Sequence, residues 1–261
     1  MSTVYETVVY EVSEQVATIT LNRPAVLNAF NATLRTELID AIRRASADET
    51  VRVVVLTASG RAFCTGTDLA EPRGPDFLPQ LQVEDEIKPA LMAIVEAPKP
   101  FICAVNGMAA GGGVGYVLAC DLVVMADNAS LLQPFVNIGL IADAGATWHL
   151  LHQVGRKRAY ELIVSAEPLP AAECVKLGLA NRVVPAADLQ AEARRWALQL
   201  AAKAPLALRY AKESLNVVED LSLEQTMSYE AAMQNRLGRS ADSKEGVRAF
   251  LEKRKPQFTG R

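Results

Sequence analysis

The chain has 261 residues, half of them hydrophobic, and a formal net charge of −3 at pH 7. This length suits one large domain, or a core domain with a smaller appendage. Without a basic excess, neither nucleic acid nor an anionic membrane surface is an expected partner. No apolar stretch is long enough to span a bilayer, and the first residues do not resemble a secretory signal. The four cysteines form no CxxC pair. We therefore expect free thiols and a cytoplasmic location.

Strands and helices alternate in the first half of the chain. Leu34, Leu38 and Ile42 recur at helical spacing, and Asn31 precedes them as a candidate N-cap. Runs of apolar, often β-branched residues predict strands, because such runs are typical of parallel sheets buried on both faces. The predicted strands are residues 16–21, 51–57, 101–105 and 122–126. This alternation predicts the α/β fold class.

The second half of the chain reads mainly as helix. Residues 70–80 contain three prolines and a glycine, which predicts a loop and a candidate lid, with a helix following to about Ile94. Beyond Gly155 we expect few strands. The predicted helices are residues 156–165, 171–177, 187–203, 205–218, 222–236 and 242–253. The pattern divides the chain into a core, residues 1–200, and a C-terminal helical region, residues 201–261.

Two glycine-rich segments follow predicted strands. Residues 59–68 are rich in small side chains, and such a loop can present backbone N–H groups to a ligand. By itself, this segment is better explained as an ordinary strand-to-helix turn. Residues 106–115 include three consecutive glycines before an apolar helix, where free amides favour negative charge. Tight helix-to-strand packing explains them equally well. Neither segment matches a phosphate-binding, dinucleotide-binding or hydrolase-serine motif.

Asp143 is a lone carboxylate among apolar and small residues. Burial would raise its pKa, so that it could exchange protons near neutrality. The alternative, which the local sequence favours, is that Asp143 caps the following helix. His149 and His152 share a helix face, but no third metal ligand accompanies them, so we expect no metal site.

Taken in order along the chain, the motifs resemble those of the enoyl-CoA hydratase/isomerase (crotonase) superfamily. The matching segments are Asn22-Arg23-Pro24, Asn28-Ala29-Phe30, Phe63 to Asp68, Asn106 to Gly113, Ala119-Cys120-Asp121, Ile138-Gly139-Leu140, Gly178-Leu179 and Val183-Val184. The resemblance implies a spiral of ββα units with a C-terminal helical region that drives trimerisation. It implies an acyl-CoA thioester as substrate, no cofactor besides that coenzyme A, and a homotrimer or a dimer of trimers.

The resemblance also implies which residues form the site. The N–H groups of Thr65 and Gly112 would hold the thioester carbonyl, since two fixed donors stabilise an enolate oxygen. Coenzyme A and the acyl group would contact Leu27, Ala62, Cys64, Thr65, Gly66, Thr67, Asp68, Gly111, Gly112, Phe135 and, over the nucleotide, Phe258.

Two departures from the family pattern decide the predicted reaction. The two glutamates with which hydratases add water would fall at Gly115 and Phe135. A carboxylate stands instead at Asp143, as in the ring-1,2-epoxyphenylacetyl-CoA isomerases, a group that also shifts Δ3 double bonds to Δ2. In those isomerases a proline and a glycine are usual where this chain has Ala142 and Ala146. We therefore predict an isomerase with Asp143 as the acid and base.

Three alternatives remain open. Asp143 could attack the thioester or an aryl carbon as a nucleophile, giving a thioesterase or a dehalogenase. The chain could act in the manner of a hydratase. It could also be a catalytically silent acyl-CoA-binding member, whereas RNA binding would need a basic stripe that the sequence lacks.

Overall fold

The fold is built on two β-sheets in a computed structural model that describes residues 4–72 and 74–261. The strands are β1 (Val8–Ser13), β2 (Val16–Leu21), β3 (Val53–Ala58), β4 (Ala62–Cys64), β5 (Phe101–Val105), β6 (Met108–Ala110), β7 (Leu122–Ala126), β8 (Ser130–Leu132), β9 (Leu169–Pro170) and β10 (Arg182–Val184). The larger sheet has the order β1-β2-β3-β5-β7-β10, and the smaller one has the order β4-β6-β8-β9.

Helices connect and cover these sheets. They are α1 (Ala32–Ala47), α2 (Pro79–Gln82), α3 (Lys88–Val95), α4 (Gly112–Ala119), α5 (Ala146–Ser165), α6 (Ala171–Lys176), α7 (Leu189–Ala201), α8 (Pro205–Val218), α9 (Leu223–Gly238) and α10 (Ala241–Leu251). Three successive units have the same course. Each places one strand in the larger sheet (β3, β5, β7), a short strand in the smaller sheet (β4, β6, β8), and then a helical segment. Because the units stack in parallel, equivalent loops and helix ends line up beside one another.

The strands of the larger sheet confirm the α/β prediction. β3, β5 and β7 pair in parallel, with Val55 opposite Ile102 and Ile102 opposite Leu122. Every residue of β3 and β5 is buried, which explains why these strands read as continuous apolar runs rather than alternating ones. Strands predicted at 16–21, 101–105 and 122–126 have those bounds, whereas the strand predicted at 51–57 lies at Val53–Ala58.

The short strands were not predicted from the sequence. β4, β6 and β8 have three residues each, too few to show an alternating pattern. β1 was also missed, whereas the two short strands β9 and β10 agree with the expectation of few strands beyond Gly155. The short strands form through pairing with neighbours that are distant in sequence, which a local pattern cannot reveal.

The predicted loop at 70–80 is shorter than expected, because α2 begins at Pro79 and continues through a π-helical turn, Val83–Ile87, into α3. Buried Arg35 holds the segments on both sides of this loop. It donates to Glu71 at 3.0 Å and to Glu86. An arginine that satisfies two carboxylates fixes their positions through charge-assisted hydrogen bonds.

The C-terminal helices confirm the predicted helical region. Lys212 of α8 donates to Asp121 of the core at 2.8 Å, and Asp242 of α10 accepts from the backbone N–H groups of Thr259 and Gly260. α5 begins earlier than predicted and is interrupted at Gly155, which has a φ of 75°. None of the helices in the described part of the chain is both long and apolar enough to cross a membrane.

Candidate functional site

In the loop after β4, the backbone N–H of Thr67 forms no hydrogen bond within the described part of the chain. The N–H of Phe30 donates to the carbonyl of Gly66 at 2.8 Å, and the N–H of Asp68 donates to the carbonyl of Phe30 at 3.0 Å. These two bonds bracket Thr67 in a parallel bridge, so its own N–H points away from Phe30. Among residues 4–72 and 74–261, this N–H has no acceptor.

A second amide lies at the start of α4. Gly112 is the first residue of that helix, where an N–H has no partner within the helix. A methyl group added to Gly66 would lie 3.2 Å from the Gly112 nitrogen, so the two loops are in close contact. Gly66 has a φ of 84°, a conformation that a residue with a side chain rarely adopts. We call the N–H groups of Thr67 and Gly112 the open amides.

The structure corrects the assignment of Thr65. Its N–H donates to the carbonyl of Leu27 at 3.2 Å, so it is already used within the fold. The donor that this loop offers is therefore the amide of Thr67, two residues further on. The sequence could not distinguish them, because the choice depends on pairing with Leu27 and Phe30 on another segment.

The carboxylate of Asp143 lies beside the amino end of α4. Its Oδ1 is buried without a hydrogen-bond partner in the described part of the chain, and a Cβ placed on Gly112 would be 3.8 Å from it. Burial raises the pKa of Asp143, with a smaller opposing contribution from its own backbone N–H. A raised pKa brings the proton affinity of the carboxyl group closer to neutral pH, as a general acid and base requires.

The alternative that Asp143 caps α5 is wrong. The residue at the N-cap is Gly145, in the left-handed conformation, and no side chain accepts from the first turn. Asp143 lies two residues before the cap, and only its backbone carbonyl takes part, accepting from the N–H of Ala146 at 3.0 Å. The Asp143 side chain thus takes no part in capping α5.

The positions where a hydratase would carry glutamates offer no carboxylate. A Cβ on Gly115 would lie 2.1 Å from the carbonyl oxygen of Ala144, so the turn that carries Asp143 occupies that space. Phe135 is buried, and its ring lies 3.6 Å from the Cβ position of Gly111. The Asp143 turn and the Phe135 ring therefore occupy the space in which the two hydratase glutamates would lie.

Several predicted contact residues shape the loop instead of exposing a side chain. Ala62 and Cys64 are buried, and burial raises the pKa of the Cys64 thiol to about 12. The carbonyl of Ala62 accepts from the Asn28 amide at 2.9 Å. Asp68 forms an ion pair with Arg23 at 3.0 Å. These residues hold the backbone that carries the open amide of Thr67.

Phe258 does not join the other predicted residues within one chain. Its carbonyl accepts from Arg52, which immediately precedes β3, at 2.6 Å. Thr67 lies beyond the other end of β3, after the short strand β4, and β3 with its six residues spans roughly 20 Å. Phe258 instead lines a cleft with Leu200, Leu208 and Pro256.

The two histidines lie on α5, near the Asp143 turn. The ring of His149 packs 3.6 Å from the Cβ position of Gly145, and burial lowers its pKa to about 4. His152 approaches the carbonyl of Trp148 with Nδ1 at 2.7 Å. No three His, Cys, Asp or Glu side chains converge anywhere in residues 4–72 and 74–261.

Sequence reasoning missed Gln133 as a candidate site residue. Only 4% of it is exposed, yet neither atom of its side-chain amide finds a hydrogen-bond partner within the described ranges. A buried polar group left without a partner costs about 1–3 kcal/mol. Its place before Pro134-Phe135 gave no local signal, because burial arises only when β8 packs against α4 and α5.

Comparison with known proteins identifies the family. Residues 11–261 match the family model for enoyl-CoA hydratase/isomerase. A Rhodobacter capsulatus protein named "Probable enoyl-CoA hydratase" is 43% identical over 257 residues, covering 98% of this chain and 99% of that one. The Escherichia coli 1,2-epoxyphenylacetyl-CoA isomerase is 38% identical over 260 residues, with the same coverage.

A solved structure shows the same fold. The crystal structure of an enoyl-CoA hydratase from Polaromonas sp. JS666 matches with a TM-score of 0.90 and 35% identity, covering 96% of this chain and 99% of that one. The predicted crotonase-like architecture is therefore confirmed. On its sequence and its fold, the chain belongs to the enoyl-CoA hydratase/isomerase family.

Proposed function

We propose that this protein is an acyl-CoA isomerase in which Asp143 moves a proton between two carbons of the acyl group. The observation that carries this proposal is the position of the Asp143 carboxylate, beside Gly112, with Oδ1 buried and unpartnered in the described residues. The open amide of Gly112 is beside this carboxylate, and the open amide of Thr67 follows Gly66, which is in contact with Gly112. Donors for an oxygen and a base for a neighbouring carbon thus occur together.

The reaction follows from this arrangement. The thioester carbonyl oxygen accepts hydrogen bonds from the open amides, which stabilise negative charge as it develops on that oxygen. Asp143 takes a proton from a carbon of the acyl chain, and the electron pair of that C–H bond enters the enolate. Return of a proton from Asp143 to another carbon of the conjugated system forms a new C–H bond and leaves the double bond shifted, and exchange of the carboxyl proton with solvent before this return brings solvent hydrogen into the product.

Burial of Asp143 supports the acid and base role. In a site shielded from water, a carboxylate binds its proton more tightly than in solution, so both its charged and neutral forms are accessible during turnover. A positioned acid or base of this kind contributes about 10²–10⁴-fold to rate. Neither a metal nor a redox group is needed to balance the proposed steps.

The absence of carboxylates at Gly115 and Phe135 favours isomerisation over hydration. Two acidic groups would be needed to deliver a water molecule in the usual way, whereas one is enough to shuttle a proton. The similarity to 1,2-epoxyphenylacetyl-CoA isomerase makes a ring epoxide a substrate to test, together with a Δ3-enoyl thioester. Other relatives are named hydratases, so crotonyl-CoA belongs in the same test.

The test is a product assay on these three thioesters with Asp143→Asn. We expect the substitution to lower isomerisation by about 10²–10⁴-fold, while binding of the thioester, measured by calorimetry, changes little. The matched control is Asp220→Asn, because Asp220 is an exposed aspartate at the end of α8. If Asp143→Asn turned over every accepted thioester as fast as the wild type, the proposal would be wrong.

Labelling separates isomerisation from nucleophilic catalysis. If Asp143 attacked an aryl carbon or the thioester carbonyl, it would form an ester or a mixed anhydride, and attack of water on the Asp143 acyl carbon in ¹⁸O-water would leave ¹⁸O in its carboxylate after one turnover. Deuterium uptake into the substrate from D₂O, with an unlabelled Asp143, is the outcome expected for the isomerase.

We also propose that the chain assembles as a trimer or a dimer of trimers. α9 has no buried residue among those described, and Leu223 and Met227 are 77% and 61% exposed. A helix with exposed apolar side chains and no fully buried residue is typical of an interface between subunits. Light scattering coupled to gel filtration should give three or six times the chain mass of 28.2 kDa.

A further inference from the structure

Arg35 is a buried cation that contacts three separate segments of the chain. It lies on α1, and only 4% of its side chain is exposed. Besides its bonds to Glu71 and Glu86, its Nη1 donates to the carbonyl of Phe30 at 2.8 Å. Withdrawing an ionic cluster from water costs free energy, and apolar side chains in its place are often equally stable. Stability alone is therefore a weak reason for an arginine at this place.

Phe30 connects the two open amides. Its backbone N–H and carbonyl pair with the residues immediately before and after Thr67. Its ring packs against the ring of Tyr116 in α4, with the ring centroids 4.9 Å apart, and α4 begins with the open amide of Gly112. Phe30 and Tyr116 are each only 1% exposed. A displacement of Phe30 would therefore move the two donors relative to each other.

The carbonyl of Phe30 accepts from two donors at once. The N–H of Asp68 donates to it at 3.0 Å and the guanidinium of Arg35 at 2.8 Å, which suits an oxygen with two lone pairs. The bond from Asp68 turns the N–H of the neighbouring Thr67 away from Phe30, because alternate residues of a paired segment point in opposite directions. The bond from the charged arginine is the stronger of the two. Without Arg35, the carbonyl that sets the direction of the open amide would keep one donor.

Two carboxylates fix the guanidinium itself. Glu71 accepts from Arg35 and, at 2.6 Å, from the N–H of the first residue of α1. Glu86 belongs to the π-helical turn Val83–Ile87, and turns of this kind are frequent at functional sites. A guanidinium held at both Nε and Nη1 has a fixed plane, because its donors form a rigid fork. Its bond to Phe30 therefore has a fixed direction.

We propose that Arg35 is a positioning residue for the oxyanion hole, which holds the open amide of Thr67 in the direction of the thioester oxygen. It acts through Phe30 and is too deeply buried to bind the substrate itself. The inference rests on the proposed function, because it assigns the open amides to the thioester carbonyl. Hydrogen bonds to that oxygen strengthen as negative charge develops on it, so a misplaced donor slows the reaction more than it weakens substrate binding.

The first test is the kinetics of Arg35→Met and Arg35→Lys on an accepted thioester. Arg35→Met has no donor for Phe30, and kcat should fall by about 10- to 100-fold, since a small misplacement of a catalytic group has an effect of this size. Thioester affinity, measured by calorimetry, should change little. Arg35→Lys keeps a charged donor without the fork and should recover part of the loss. The matched control is Arg43→Met, because Arg43 is an exposed arginine of the same helix.

Ionisation of a bound β-oxoacyl thioester separates positioning from folding. Acetoacetyl-CoA forms an enolate with its own ultraviolet absorption, and donors at the enolate oxygen favour this ionised form. Arg35→Met should weaken the ionisation of the bound ligand by about tenfold, a part of the 10²–10³-fold effect of a whole donor. Wild-type ionisation in this variant, whatever its Tm, would show a structural role and overturn the inference. If the variant does not fold, Arg35→Lys and Glu86→Gln, which weakens one anchor of the guanidinium, should give the same change to a smaller degree.

Failure of this inference can be told apart from failure of the proposed function, because enolate ionisation at equilibrium needs no catalytic base and is also measured in Asp143→Asn. If Arg35→Met leaves the ionisation unchanged while Asp143→Asn abolishes isomerisation, only the inference about Arg35 fails. If the ionisation depends on Arg35 while Asp143→Asn isomerises at the wild-type rate, only the role of Asp143 fails. If the bound ligand ionises as it does in water, the open amides are not an oxyanion hole, and both fail.

Discussion

Two regions of the chain meet at the candidate site. One contributes backbone groups and the other contributes side chains. The two glycine-rich segments, residues 59–68 and residues 106–115, contribute backbone N–H groups. Their side chains are small, buried or engaged elsewhere. The segment from Gln133 to Asp143 contributes side-chain atoms, which are buried and unpartnered in the described residues. The first region offers backbone donors, whereas the second region offers buried side-chain atoms that carry a cost in stability.

This difference teaches how each kind of group is prepared for chemistry. An amide becomes available when strand pairing uses the carbonyl of the residue before it and the N–H of the residue after it, as happens around Thr67. A carboxylate becomes reactive when it is withdrawn from water without a partner, as happens at Asp143. The experiments below separate the two regions, beginning with the largest expected effect.

Replacing single backbone amides by esters tests the first region. An ester at residue 67, made with the α-hydroxy analogue of threonine, removes the open amide, and kcat should fall by about 10²–10³-fold. The same replacement at residue 65 removes only the hydrogen bond to Leu27. It should lower stability by about 0.5–1.5 kcal/mol while leaving kcat nearly unchanged. The opposite ranking in single-turnover assays would restore Thr65 as the oxyanion donor.

A methyl group at Gly115 tests the contact between the regions. Gly115→Ala would place a carbon 2.1 Å from the carbonyl oxygen of Ala144, so the Asp143 turn must move. We expect a loss of about 1–3 kcal/mol in the free energy of unfolding, typical of overpacking, and a matching loss of activity.

The matched control for this substitution is Gly238→Ala in α9, where nothing lies within 4 Å of the added carbon. That change should be neutral or stabilise the helix by up to about 1 kcal/mol. Equal denaturation midpoints for the two variants would show that the backbone at Ala144 can move away from the added carbon at little cost in stability.

The pH dependence of stability tests the second region. The raised pKa of Asp143 means that the native state binds this proton more tightly than the unfolded chain does, where the pKa is about 3.9. The stability from this residue is present below that value and is lost as pH rises through the folded pKa. Asp143→Asn avoids the loss, so the difference in Tm between this variant and the wild type should shift in favour of the variant as the pH rises above about 4. Asp220→Asn is the exposed control, and an unchanged Tm difference for Asp143→Asn would contradict the burial of a charged carboxylate.

The acid limb of the rate profile should give the smallest but most direct effect. Asp143 must be ionised to accept a proton, so kcat/KM should fall at acid pH around an apparent pKa above the ordinary aspartate value. An apparent pKa of about 3.9 or lower for this limb would mean that the Asp143 carboxylate is solvated as in an unfolded chain.

Much of the core architecture could be predicted from the sequence, for a physical reason. Parallel strands buried on both faces require continuous apolar runs, and amphipathic helices require periodic ones. The local sequence therefore predicts β2, β3, β5, β7 and the C-terminal helices. Asn31 was likewise recognisable, and its side chain accepts from the N–H of Leu34 at 3.0 Å. The ordered motifs indicated the family, and Asp143 stood out because the expected glutamates were missing.

Only the tertiary structure decided which groups remain free. The amide of Thr65 is used and that of Thr67 is open because Leu27 and Phe30 pair with this loop from elsewhere in the chain. Asp143 is not a cap because Gly145 turns the backbone before α5 begins. Gln133 is unpartnered because α4 and α5 enclose it beside β8. Hydrogen-bond satisfaction and burial are properties of packed neighbours, and those neighbours lie far apart in the sequence.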